Sequence, residues 1–140
     1  MPRDNRQLID EVDVRCSLRR ILVVDQDIRD LSNHAAVFDA PDFEVYKCSS
    51  YETALRFVEK EDFELAIVDQ GGSDFEGRRV LRHLNSYDPW TPIIVVAKCR
   101  DRKCQMEAAE LGAVEYLQKP VPREELIRVV EKCLRIPPKT

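Results

Sequence analysis

The chain has 140 residues, enough for one core rather than several, and its 44% hydrophobic and 34% charged residues fit a compact domain with a wet surface. No apolar run approaches the ~20 residues of a membrane span, and the opening MPRDNRQLIDEVD has no leader-like hydrophobic stretch, so the expectation is a cytoplasmic chain without a membrane partner. Net charge is -4, but residues 21–119 carry 12 Lys/Arg against 19 Asp/Glu, or -7, an acidic body that argues against direct nucleic-acid binding and suits carboxylates gathered around a cation.

Residues 1–18 read as a polar extension. A first strand is expected over 20–24 (RILVV), then a helix capped by Asp27 with Ile28, Leu31, Ala35 and Phe38 on its inner face. A second strand, 43–48 (FEVYKC), leads past Ser50 into a helix marked by Ala54, Leu55 and Val58. The third, 64–68 (ELAIV), precedes Val80, Leu81 and Leu84; the fourth, 92–97 (PIIVVA), precedes Asp101 as cap and Met106 and Ala109. The fifth, 113–118 (AVEYLQ), is followed by Pro122 and a last helix carrying Leu126, Val129, Val130 and Cys133. The domain is read as 19–136, and 137–140 as a tail or linker.

The first, third and fourth strands are nearly continuous apolar runs, the mark of parallel strands covered on both faces. Strand and helix alternating five times predicts an α/β fold, a doubly wound five-stranded parallel sheet, (βα)5, with the flavodoxin-like order 2-1-3-4-5. Five cysteines without a CxxC pair or a neighbouring histidine read as reduced thiols rather than a zinc cluster. Trp90 is expected to pack within its loop, Lys98 and the run Arg78, Arg79 and Arg82 to be solvated, and Tyr116 to be a half-buried edge aromatic. His34 and His83 receive no role.

In such sheets the working site lies beyond the carboxyl ends of the strands. Those ends carry Asp25-Gln26-Asp27, Asp69, Ala97-Lys98 and Lys119-Pro120. Brought to one edge, they place two or three carboxylates opposite a lysine. Crowded carboxylates favour a hard cation with oxygen ligands, such as magnesium. A metal-supported carboxylate beside an ammonium suits phosphoryl acceptance, because both cations neutralise developing charge.

The segments ILVVDQD, LAIVDQGGSDFEG, TPIIVVAK and GAVEYLQKPV resemble the receiver domain of two-component response regulators, in order and spacing, over about residues 19–136. The resemblance implies Asp69 as phosphoacceptor, Lys119 as the lysine that contacts the phosphoryl group, and a cis bond before Pro120. It implies a magnesium site from Asp25, Asp69 and the backbone carbonyl of Gly71. Its partners would be a histidine kinase or phosphotransfer protein and an output domain or effector, with a second copy of the chain a further candidate. The activity would be phosphoryl acceptance and slow self-dephosphorylation, without turnover of an outside substrate.

Two positions depart from the family pattern. Gln26 stands at the second acidic metal position and offers a neutral oxygen; Ala97 stands at the Ser/Thr switch position and lacks the hydroxyl that couples to Tyr116. Magnesium should therefore bind weakly, and the alternative is a degenerate receiver that binds proteins independently of phosphorylation. Asp25-Gln26-Asp27 also resembles the DxD motif of haloacid-dehalogenase-type phosphatases, with Asp25 as nucleophile and Asp27 as acid/base. A flavodoxin-like flavin binder fits less well, because an acidic turn follows the first strand.

Overall fold

The computed structural model describes residues 18–134. The expected extension before Leu18 and the tail after Leu134 lie outside the described residues. Strands β1 (Arg19–Val24), β2 (Phe43–Cys48), β3 (Leu65–Asp69), β4 (Ile93–Ala97) and β5 (Ala113–Gln118) alternate with helices α1 (Ile28–Ala35), α2 (Tyr51–Lys60), α3 (Arg78–Tyr87), α4 (Arg102–Glu110) and α5 (Arg123–Leu134). A short 3-10 turn, Ala36–Phe38, ends the first crossover and buries Phe38. The five strands form one parallel sheet in the order β2-β1-β3-β4-β5, as the alternation predicts.

The apolar runs are long because both faces of the sheet are covered. Leu22, Val24, Ala66, Val68 and Val95 pack beneath α2, α3 and α4, while Ile21, Val23, Ile67, Ile94 and Val96 pack beneath α1 and α5. Each of these strand residues is fully buried. Burial of a Val, Leu or Ile side chain contributes about 1.5–3 kcal/mol, so this double layer dominates the stability.

Three of the helix starts are those the sequence predicts. The side chains of Asp27, Ser50 and Asp101 accept from the backbone N–H groups of Asp30, Thr53 and Cys104, three residues on. Four residues read as inward-facing or locally packed are not. Ile28 sits in the exposed first turn of α1, and Met106 and Ala109 lie on the outer face of α4, where Cys104 and Ala108 point inward instead. Trp90, flanked by Pro89 and Thr91 ahead of β4, is 89% exposed and does not pack within its loop. Cys48 and Cys104 are buried and Cys99 is exposed, all as free thiols. Among the described residues no helix is long and apolar enough to cross a membrane.

Candidate functional site

Strand register sets the site. Val24 pairs with Val68, so Asp25 and Asp69 follow side by side on neighbouring strands. Asp69 pairs with Val96, and Ala97 with Gln118, so Ala97 and Lys119 end the remaining strands at the same edge. A cis bond precedes Pro120, as the resemblance implies.

From the end of β5, Lys119 reaches over this edge into a group of carboxylates. Its Nζ lies 3.1 Å from Asp69 Oδ1, 2.9 Å from Asp25 Oδ2, and 3.1 Å from both Asp25 Oδ1 and Asp30 Oδ2. One ammonium thus serves three carboxylates. Asp25 is fully buried and Asp69 is 6% exposed. Asp25 Oδ1 also accepts from the Asp27 backbone N–H at 3.0 Å. Its Oδ2, though beside the ammonium, accepts no hydrogen bond. Burial pushes the Asp25 carboxyl up to about 6; the Lys119 and Asp27 hydrogen bonds pull the other way, and the charge of Asp69 adds to the rise. Burial alone would lower Lys119, but the hydrogen bonds it donates to Asp25 and Asp30 and the charge of Asp69 raise it, so the ammonium is held charged.

These shifts give a pH signature. A carboxyl whose folded pKa exceeds its unfolded one favours the fold while protonated, and that contribution is lost as pH rises between the two values. Without divalent cations, the parent is expected to lose stability relative to Asp25→Asn as pH rises from about 4 to about 6, by up to about 3 kcal/mol for the shift of roughly two units. Urea midpoints across this range measure it; parallel pH curves for the two proteins would contradict the burial argument.

The loop after β3 is shaped around Asp69. Gly71 has φ +88°, and a Cβ there would meet Glu76 Oε1 at 2.2 Å, so that position requires glycine. Glu76 Oε1 is held by the Gly72 N–H at 2.7 Å. Asp25, Asp69 and the Gly71 carbonyl are hard oxygen donors, and magnesium characteristically takes one or two carboxylates and keeps several waters. Three carboxylates around one ammonium, with the buried His34 Nδ1 left without a hydrogen bond beside them, leave a pocket short of positive charge, which fits such an ion. Gln26 is exposed. Among the described residues no group of three His, Cys, Asp or Glu stands arranged to hold a metal by itself.

Four buried or half-buried residues join the site without a motif to announce them. Asp30 and His34 lie one turn apart on α1, facing Lys119 and Asp25; His34 is 4% exposed, with Nδ1 3.8 Å from Asp25 Oδ2. The sequence gives His34 no role, because only the fold brings α1 over the end of β1. Tyr51, the first residue of α2, directs its hydroxyl to the Asp69 carbonyl at 3.0 Å and stands 3.4 Å from Asp69 Oδ2. Inspecting the end of β2 as well as the other strand ends would have pointed to Tyr51.

Gln70, next to Asp69, is 2% exposed and accepts a hydrogen bond from the Tyr116 hydroxyl. Its amide donates to the Gly72 carbonyl at 3.1 Å. Tyr116 is therefore not the half-buried edge aromatic expected: it is 9% exposed, its hydroxyl turned inward and receiving the Asp101 N–H at 3.1 Å. Ala97 lies in the same core cluster, where a side chain of a single carbon takes little of the space a larger residue would fill. Lys98 is exposed, as expected. Asp27 is exposed and spends its carboxylate on the α1 cap, which removes it from the acid/base role of the phosphatase-like reading.

Residues 21–131 match the family model described as the response regulator receiver domain, and the chain belongs to that family. It is 28% identical over 114 residues to the transcriptional regulatory protein ZraR of Escherichia coli K12, covering 81% of this chain and 26% of that one. Against the regulatory protein AtoC of the same organism it is 24% identical over 120 residues, covering 86% and 26%. The chain thus spans about a quarter of the length of these relatives. A CheY-like receiver domain from Methanospirillum hungatei JF-1 superposes with a TM-score of 0.77 at 28% identity, covering 85% of this chain and 95% of that one. A receiver domain from Clostridium thermocellum gives 0.72 at 28% identity, covering 84% and 95%. The molecule is a receiver, a signalling domain of two-component response regulators.

Proposed function

We propose that Asp69 is the phosphoacceptor and that the chain relays a histidine kinase's state to an output domain or effector protein. The observation that carries this reading is the Asp69 carboxylate at the open edge of the sheet, 3.1 Å from the ammonium of Lys119. An Asp69 oxygen attacks phosphorus in line, a P–O bond forms, and the P–N bond to the donor imidazole breaks, leaving its electron pair on that ring. Lys119 neutralises charge on the equatorial phosphoryl oxygens. Asp25, Asp69 and the Gly71 carbonyl would hold a magnesium ion, which would supply further neutralisation of that charge. The donor would be a histidine kinase or a phosphotransfer protein, and the chemistry acceptance and slow release rather than turnover.

Incubation with acetyl phosphate and magnesium, followed by intact mass, tests this. The expected result is one added phosphoryl group in the parent and none in Asp69→Asn. Labelling that survives Asp69→Asn and vanishes in Asp25→Ala would replace the receiver chemistry with the phosphatase-like one.

A second reading has its own support. The bond from Tyr116 to Gln70 holds the tyrosine inward without a phosphoryl group and without the hydroxyl missing at Ala97. A receiver fixed this way binds its partner equally well before and after labelling. Equal partner affinity for labelled and unlabelled protein supports this phosphorylation-independent module; a clear difference supports the relay.

A further inference from the structure

The metal position at Gln26 has no charge, yet the site holds a third carboxylate. We propose that Asp30, four residues on in the first turn of α1, supplies the missing charge without ligating the ion and sets the pocket's affinity for a divalent cation by acting through Lys119. The proposal rests on the receiver reading and extends it to a residue outside the family's metal positions.

Charge balance carries the argument. Asp25, Asp69 and Asp30 share one ammonium, with contacts of 2.9 to 3.1 Å. With only Asp25 and Asp69 beside it, Lys119 would cancel half of the pocket's negative charge. Asp30 takes part of that ammonium's field from outside the pair, leaving Asp25 and Asp69 more anionic toward a cation. Its side chain is 32% exposed against 0% and 9% for the other two, so it sits at the mouth as a counter-charge and not as a ligand.

The interior is also under-supplied with partners. The facing His34, 4% exposed, has an Nδ1 that makes no hydrogen bond and lies 3.8 Å from Asp25 Oδ2, whose own partner is the shared ammonium at 2.9 Å. A buried polar atom left open toward the carboxylate group marks a place where a cation with its waters is favourable, since unpaired buried polar atoms are costly.

The test is magnesium binding followed by calorimetry on the unlabelled protein, with no phosphoryl transfer involved. Asp30→Asn is expected to weaken binding about tenfold, and Gln26→Asp in that background to restore it to within about threefold, because ligand charge governs hard-cation affinity. Gln26→Asp alone, at an exposed position, is expected to tighten binding of the parent. Glu52→Gln, a solvent-exposed carboxylate on α2 that makes no contact with Lys119, is expected to change nothing beyond screening. An unchanged affinity in Asp30→Asn, or a Gln26→Asp change that fails to restore it, overturns the proposal. A parent that binds no magnesium at millimolar concentration overturns it as well, while the mass shift on Asp69, read separately, decides the receiver reading. Should Asp30→Asn not fold, Asp30→Ser replaces it, and failure of Gln26→Asp to tighten the parent counts against the proposal.

Discussion

Lys119→Met is expected to destabilise the domain by about 3 kcal/mol at neutral pH, the lower end for breaking a buried ion pair by removing one partner. Methionine keeps most of the length and apolar stem of the side chain, so the loss is electrostatic rather than a cavity. Three carboxylates would remain, with Asp25 fully buried and Asp69 nearly so. Because the folded domain raises the lysine's pKa, its stabilisation is present below the unfolded value of 10.5 and is lost as pH rises beyond it. On the acid side the gap between parent and variant should narrow below about 6, where Asp25 takes up a proton and needs the ammonium less. Urea unfolding across pH measures both edges, and a gap independent of pH would contradict the assignment. Labelling by acetyl phosphate should slow by roughly 10²–10³-fold, the cost typical of losing one donor to a developing anion.

Gly77→Ala is expected to reach Asp69 through the backbone. Gly77 begins α3 at φ -69°, so its conformation is ordinary and left-handed strain plays no part. The obstacle is contact: an added Cβ would lie 2.4 Å from the Asp69 carbonyl oxygen and 3.3 Å from Val68 Cγ1. Backbone cannot swing aside as a flexible side chain can, so the loop and the end of β3 must shift together. Overpacking of this kind costs about 1–3 kcal/mol. Because the displaced atom belongs to Asp69, labelling should fall further than the stability loss explains. The checks are the urea midpoint and the labelling rate of the fraction that remains folded. A variant as stable as the parent and labelled as fast would show that the loop yields freely.

Much of this was legible before any coordinates. Apolar runs at β1, β3 and β4 demand burial on both faces, and that requirement yields the parallel sheet and its order. Asp25, Asp69 and Lys119 follow because they stand directly after strands, where chain position and spatial position coincide. Asp30, His34, Tyr51 and Gln70 were not legible, since each reaches the site by a helix rotation or side-chain direction that no spacing encodes. Ile28 and Met106 fit a helical period but sit at a first turn and an outer face, where the period has nothing to pack against. The inward turn of Tyr116 escapes the sequence for a related reason: whether an edge aromatic turns inward depends on its neighbours, here the small Ala97 and the accepting oxygen of Gln70.

The single tryptophan gives the molecule an unusual optical character. Trp90 stands ahead of β4, whose five residues at ~3.3 Å each place it roughly 16 Å from the strand end where the carboxylates meet. Its indole is already in water. Its emission should therefore be red-shifted, readily quenched by dissolved iodide, and nearly indifferent both to a cation at the carboxylates and to unfolding in urea. The buried rings near the strand ends belong instead to Tyr51, bonded to the Asp69 carbonyl, and Tyr116, bonded to Gln70. Ultraviolet difference absorption near the tyrosine band, rather than tryptophan fluorescence, is where this domain displays its own loading.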